Sequence, residues 1–276
     1  MAPKRSMQRS MLRALTSSTV CALATVLLAT PAAAAATEVT GFATGTVYRA
    51  FSSSGTALLD HFYYRYSDGD EHLRHISALP QSNGTIQIAF HDINADNKYF
   101  YRVAHQHTGS TSITHGSFTD TCIGTCTRTV TRPSPDHVFV LVGFRFYFTG
   151  DDHHIDEISV FENSGQVTTS FNDQNDDDTF VTNIRYAWVP RTRFSSMNEI
   201  SGTVADTSGV RRNVTAGTAV IRGFSFNNNG TGGSGDDHIR ELGIMTNSTS
   251  IDIYYGDDDP TDSSPWTYRV RYANLP

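Results

Sequence analysis

Carboxylates recur at intervals along this chain, and three of the clusters end on a histidine: Asp70-Glu71-His72, Asp152-His153-His154 and Asp236-Asp237-His238. A second set of acids follows each cluster. It comprises Asp92, Asn94 and Asp96, then Asp173, Asn175 and Asp176 to Asp178, then Asp257 to Asp259 with Asp262. Clustered carboxylates repel, and a hard cation relieves that repulsion. Ca²⁺ takes six to eight oxygen ligands in flexible geometry. Asp70, Asp92, Asp96, Asp152, Asp173, Asp177, Asp236, Asp257 and Asp259 are therefore candidate calcium ligands. The alternate oxygens of Asp92, Asn94 and Asp96 resemble part of an EF-hand loop, but the glycine and distal glutamate of that motif are missing. Asp and Asn also suit turns, because their side chains bond the nearby backbone.

His72, His154 and His238 invite a transition-metal reading, and Asp152-His153-His154 has the right donor types. A histidine recurring at one place in a repeat serves the repeat's architecture more readily, so these three are read as repeat-defining. Cys122 and Cys126 lie four apart with Gly124 between them. In an oxidising compartment such a pair forms a disulfide that stiffens a local turn. No nearby Cys or His completes a zinc site. The nucleophile elbow, the zinc-protease helix motif and the phosphate loop are all absent from the sequence.

These residues sit in a repeating frame. Aligning Phe62, Phe144 and Phe224 brings three segments into register at a period of about 80. Downstream, Ile86, Ile88 and Phe90 match Val167, Thr169 and Phe171, and then Ile251, Ile253 and Tyr255. Arg185-Tyr186-Ala187 matches Arg271-Tyr272-Ala273. The segments alternate as half-buried strands do: Phe144, Phe146 and Phe148 share a face, as do Trp266, Tyr268, Val270 and Tyr272. After the histidine the alternation slips, as in the second copy, where the apolar residues are Ile155, Ile158 and Val160, which predicts a bulge or a short turn entering a strand.

Each copy thus reads as a four-stranded antiparallel meander, with further strands available between copies. The predicted fold class is all-β, built of tandem sandwich-like units; three sheets sharing one core around a pseudo-threefold axis is the competing arrangement. Repeat unit 1 takes residues 37–130 with a cysteine-containing linker, unit 2 takes 131–205 and unit 3 takes 206–276. In an up-down-up-down meander the first and third loops share an end, so each unit collects its acids at one end.

Residues 1–36 read as a signal peptide: Lys4, Arg5, Arg9 and Arg13, then an apolar stretch, then a small-residue cleavage region after Pro31. Bacterial Sec export and an extracellular location follow as expectations. The whole chain carries 21 basic and 28 acidic residues, a net −7. Removing the leader takes four basic residues and no acids, leaving 17 against 28, or −11. That balance argues against nucleic acid as a partner. No stretch of 18 apolar residues follows the leader, so no membrane span is expected.

Three parallel sets of acids favour repeated binding valency over one asymmetric active site. The expected function is a secreted, non-enzymatic binding protein, calcium-dependent and directed at a glycan or cell surface, with Trp188 and Trp266 as candidate ligand contacts. Both tryptophans fall in or beside the last strand of a copy, where packing is the commoner role. The alternative is an adaptor subunit of a secreted multiprotein particle, its Thr-rich stretch from Thr119 to Pro135 docking as a strap. A secreted hydrolase ranks below both.

Overall fold

The strands that alternation predicts are all present, in three six-stranded antiparallel sheets. The computed structural model describes residues 36–51, 55–67, 72–109, 112–150, 155–173, 178–204, 209–214, 218–228, 238–257 and 265–276. The first run of strands is β1 (Ala36–Thr44), β2 (Val47–Ala50), β3 (Thr56–Tyr66), β4 (His75–Pro80), β5 (Thr85–His91) and β6 (Lys98–Thr108). The second is β7 (Thr114–Ile123), β8 (Thr125–Thr129), β9 (His137–Phe148), β10 (Ile155–Asn163), β11 (Gln166–Asp173) and β12 (Thr179–Pro190). The third is β13 (Ser196–Val204), β14 (Val210–Asn213), β15 (Thr218–Asn228), β16 (Ile239–Thr246), β17 (Ser250–Asp257) and β18 (Trp266–Leu275).

The sheet orders are β1-β6-β3-β16-β17-β14, β2-β5-β4-β9-β12-β7 and β13-β18-β15-β10-β11-β8. Each run therefore gives its first, third and sixth strands to one sheet and its second, fourth and fifth to the next. The four-stranded meander is corrected in this respect. Within a copy the first and last of the four strands pair, as Tyr64 with Tyr101, while the middle two pair in a neighbouring sheet, as Ile76 with Phe90. The all-β antiparallel class stands, but the copies interlock instead of forming sandwiches side by side. A lone four-stranded sheet would leave its apolar face in water; splitting it lets three sheets bury their faces together.

Pairing also moves the unit boundaries. β7 and β8 pair with β12 and β11, so the cysteine-containing stretch belongs to the second run and is no linker or free strap. β13 likewise pairs with β18 of the third run. The described residues all fall in one compact unit.

The three alignment anchors meet at the centre. The rings of Phe62, Phe144 and Phe224 lie 4.9, 5.0 and 5.2 Å apart, all fully buried. Edge-to-face aromatic pairs add about 0.5–1.5 kcal/mol each beyond their area burial. Four residues before each anchor, Leu58, Val140 and Val220 join a second apolar cluster. Both layers meet, so β3, β9 and β15 run in the same sense. The expected bulge after the histidine occurs between Ile155 and Glu157 and between Ile239 and Glu241.

At the corner where β1 passes into β2, Gly45 adopts φ 61°; where β7 passes into β8, Gly124 adopts φ 67°. These are left-handed values that glycine takes without strain. Cys122 and Cys126 are bridged across the second corner, Cα atoms 5.8 Å apart, tying a strand of one sheet to a strand of the next.

Beyond the corner, an arginine recurs at one register: Arg49, Arg128 and Arg212 lie opposite Ile86, Val167 and Ile251. Arg49 donates to the Tyr101 hydroxyl (2.6 Å) and Arg212 to that of Tyr268 (2.5 Å). Each tyrosine lies over a glycine of the facing strand, Gly41 or Gly202, where a Cβ would stand 2.8 Å from the hydroxyl oxygen. In the second run Thr182 replaces the tyrosine and Asp120 the glycine, and Asp120 takes Arg128 at 3.6 Å. Only where the tyrosine is missing does a carboxylate appear to hold the guanidinium.

Candidate functional site

Each central strand carries a second bulge, two residues before the anchor phenylalanine. Pairing skips Asp60 in β3, Val142 in β9 and Arg222 in β15. Bulges re-aim side chains, and here one station presents a carboxylate, an apolar group and a guanidinium. Val142 joins the second apolar cluster. Asp60 instead faces a cavity of about 370 Å³, lined also by Gln106, Thr218, Thr246, Asn247 and Ser248.

Asp60 is 7% exposed, and a carboxylate that deep must be bonded. Its Oδ2 accepts from Gln106 Nε2 at 2.5 Å, and its Oδ1 accepts the Thr246 hydroxyl. His61 Nδ1 stands 3.6 Å from Oδ1. Three strands build the site: β3 supplies Asp60, β6 supplies Gln106 and β16 supplies Thr246, with Thr218 opening β15. The turn after β16 supplies Asn247 and Ser248. Asn247 is oriented by its own bonds to Asp252 Oδ2 (3.0 Å) and, through its backbone N–H, to Ser250 O (2.8 Å). Beside Ala219 and Pro276, the lining thus carries hydroxyl, amide and carboxylate groups, of which Asp60, Gln106, Thr246 and Asn247 are oriented by hydrogen bonds. Such a set suits a ligand that presents several hydroxyls.

The residues singled out by sequence lie elsewhere. Asp70, Asp152, Asp177, Asp236, Asp259 and His154 fall outside the described residues. Asp173 and Asp257 end β11 and β17, where their backbones pair with Ile155 and Ile239; their side chains are outside the description. Asp92 is 5% exposed, and its Oδ1 accepts the Ala95 N–H at 2.7 Å across a turn in which Ala95 adopts φ 53°. It acts as a turn cap, the alternative that Asp and Asn always carry. Asp96 is exposed. Among the described residues no group of three or more His, Cys, Asp or Glu is placed to hold a metal.

His72 and His238, 166 positions apart, stack with ring centres 4.5 Å apart. The histidines of the first and third copies therefore meet. The tryptophans are corrected as ligand contacts. Trp188 and Trp266 are 1% and 0% exposed. Trp266 stacks on Tyr255 at 4.0 Å and Trp188 packs edge-on to Phe139 at 5.7 Å, so neither offers a face to a ligand.

Asp60, Gln106 and Arg222 were missed. A signal for the bulge existed: Asp60, Val142 and Arg222 fall in one column of the alignment, and the two charges interrupt otherwise apolar runs. That Gln106 and Thr246 converge on Asp60 had no signal, since they come from strands 140 residues apart.

No protein-family model matches the chain, and no curated protein matches it. The fold and this cavity therefore define the class without outside help: an all-β protein of three interlocked antiparallel sheets.

Proposed function

We propose that the chain is a secreted, non-enzymatic binding protein whose ligand is a polyhydroxylated molecule, a glycan in the first instance. The observation that carries the reading is the polar cavity at Asp60. Its groups donate and accept hydrogen bonds, and its lining holds one side-chain carboxylate. Glycoside hydrolysis by the usual route needs a pair, so the cavity supports binding over cleavage. Export rests on the amino-terminal address in residues 1–36 and agrees with the bridged cysteine pair. Among the described residues no helix is long and apolar enough to cross a membrane. Calcium dependence rests on the acidic loops of the sequence alone.

The test is retention on immobilised polysaccharides and a glycan array, run in Ca²⁺ and in EDTA. Thr218→Ala combined with Ser248→Ala removes two lining hydroxyls without touching the Asp60 bonds. Each hydrogen bond contributes about 0.5–1.5 kcal/mol, so the pair weakens binding roughly ten-fold. Retention by no glycan, or equal retention of the double variant, sinks the reading. Equal retention in EDTA removes calcium from it.

A further inference from the structure

Many of the described arginines are held by a bond or an ion pair. Arg49 and Arg212 bond tyrosines, and Arg128 pairs with Asp120. Arg102 pairs with Glu38, and Arg211 with Asp252. Arg269 and Arg271 share Glu199, and Arg145 bonds His75. Arg222 differs. The bulge in β15 turns its side chain into a half-buried position, where its Nε is shut off from water without a hydrogen-bond partner. Among the described residues no carboxylate forms an ion pair with it. A guanidinium nitrogen left so is costly, because burial removes its hydration and nothing replaces it.

The surroundings raise that cost. Burial lowers the pKa of Arg222, and the nearby charges of Arg271, Arg191 and Arg132 lower it further; Glu162 alone acts the other way. Glu162 is itself engaged, its Oε1 accepting the Gly165 N–H at 2.7 Å. Arg132 is fixed by bonds to the carbonyls of Pro135 and His137, and Arg271 by Glu199 and the Glu162 carbonyl (2.9 Å). Four positive groups thus converge where two carboxylates are present, Glu162 and, on Arg271, Glu199, and neither pairs with Arg222, in a chain whose net charge is −7. The homologous bulge positions solve the same burial internally: Asp60 by two hydrogen bonds, Val142 by being apolar.

We propose that Arg222, flanked by Arg191 and Arg132, is an oxyanion-binding site that takes the carboxylate, sulfate or phosphate group of a ligand. The planar guanidinium supplies paired donors for such a group, and the flanking charges replace the missing counter-ion. The site is independent of the Asp60 cavity and of the glycan reading.

The experiment measures thermal midpoints of the chain and of Arg222→Met in chloride, acetate, phosphate and sulfate at matched ionic strength. The anions are kept to about 10 mM, too dilute for the general stabilising effect of sulfate. The wild-type chain gains about 3 °C in at least one oxyanion relative to chloride, and Arg222→Met gains nothing. Arg102→Gln, a control at a paired arginine, keeps the gain. In chloride Arg222→Met is at least as stable as wild type, because it removes a buried unpaired charge; a merely structural Arg222 would instead make it less stable. The ranking of the three anions identifies which oxyanion class the ligand carries. Equal gains in wild type and Arg222→Met, no gain in any oxyanion, or clear destabilisation of Arg222→Met in chloride overturns the proposal.

Discussion

At the scale of single residues, burial fixes the protonation of His75, His91 and His105. Arg145 Nε donates to His75 Nε2 (3.2 Å), so the proton of His75 sits on Nδ1, facing Thr46 Oγ1 at 3.3 Å. His91 Nδ1 bonds the Asp92 carbonyl (2.7 Å), which can only accept, so His91 Nε2 accepts from Thr46 at 3.0 Å. The chain of bonds closes only with both imidazoles neutral. Burial holds the pKa of His75 well below its ordinary value, helped by coupling to His91 and by the charges of Arg145 and Arg74, and burial lowers that of His91 too. His105, buried against the Val142 carbonyl, is pushed down to about 4, chiefly by desolvation.

Histidines with depressed folded pKa values contribute stability that is complete above the unfolded value of about 6.5 and is lost as pH falls below it. The unfolded chain binds the protons first. Unfolding free energy therefore declines from about pH 7 toward pH 4, and His105 alone accounts for about 3 kcal/mol of the loss at the acid end. Denaturant melts across that range check it; a flat profile between pH 7 and 5 contradicts the relay.

At the scale of elements, corners and bulges do the positioning. The strands themselves follow from alternation, and β9 shows it plainly: Phe144, Phe146 and Phe148 are fully buried while Arg145 and Tyr147 lie on the other face. The slip after the histidine was legible as a bulge in the second and third copies for the same reason, since a lost residue of phase must be absorbed somewhere, whereas β4 of the first copy pairs without a shift. The partners of each strand were not legible, because an inward face records that a strand is buried and not against what. The Cys122–Cys126 bridge spans one corner and encloses a short loop. Cys122→Ser with Cys126→Ser therefore lowers stability by at most about 2 kcal/mol, read from denaturant midpoints, and leaves the strand content by circular dichroism unchanged. A loss of strand content would mean the corner depends on the bridge for its formation.

At the scale of the whole molecule, the sheets are completed only by distant parts of the chain. β16 lies against β3, Leu242 opposite Tyr64 and Ile244 opposite Phe62, so the third run closes the sheet that the first run opens. The second run stands between them through β9 against β4 and β10 against β15. A chain truncated after Pro190 keeps only three strands of the first sheet and loses Phe224 from the central trio. Such a fragment is expected to show no cooperative melting transition, whereas independent tandem domains would retain one or two.

The amino-acid sequence by itself determined the all-β class, the period near 80, the inward faces of the strands, the bulge after the histidine in two of the copies and the pairing of two cysteines. Each of these is local, set by alternation, turn chemistry or short spacing. The tertiary structure alone decided that the copies interlock, that Trp188 and Trp266 are core, and that Asp60 meets Gln106 and Thr246. It also decided that Arg222 meets no carboxylate among the described residues. These depend on which strands close around the common core, and a sheet's pairing partners are chosen by the collective burial of faces far apart in sequence.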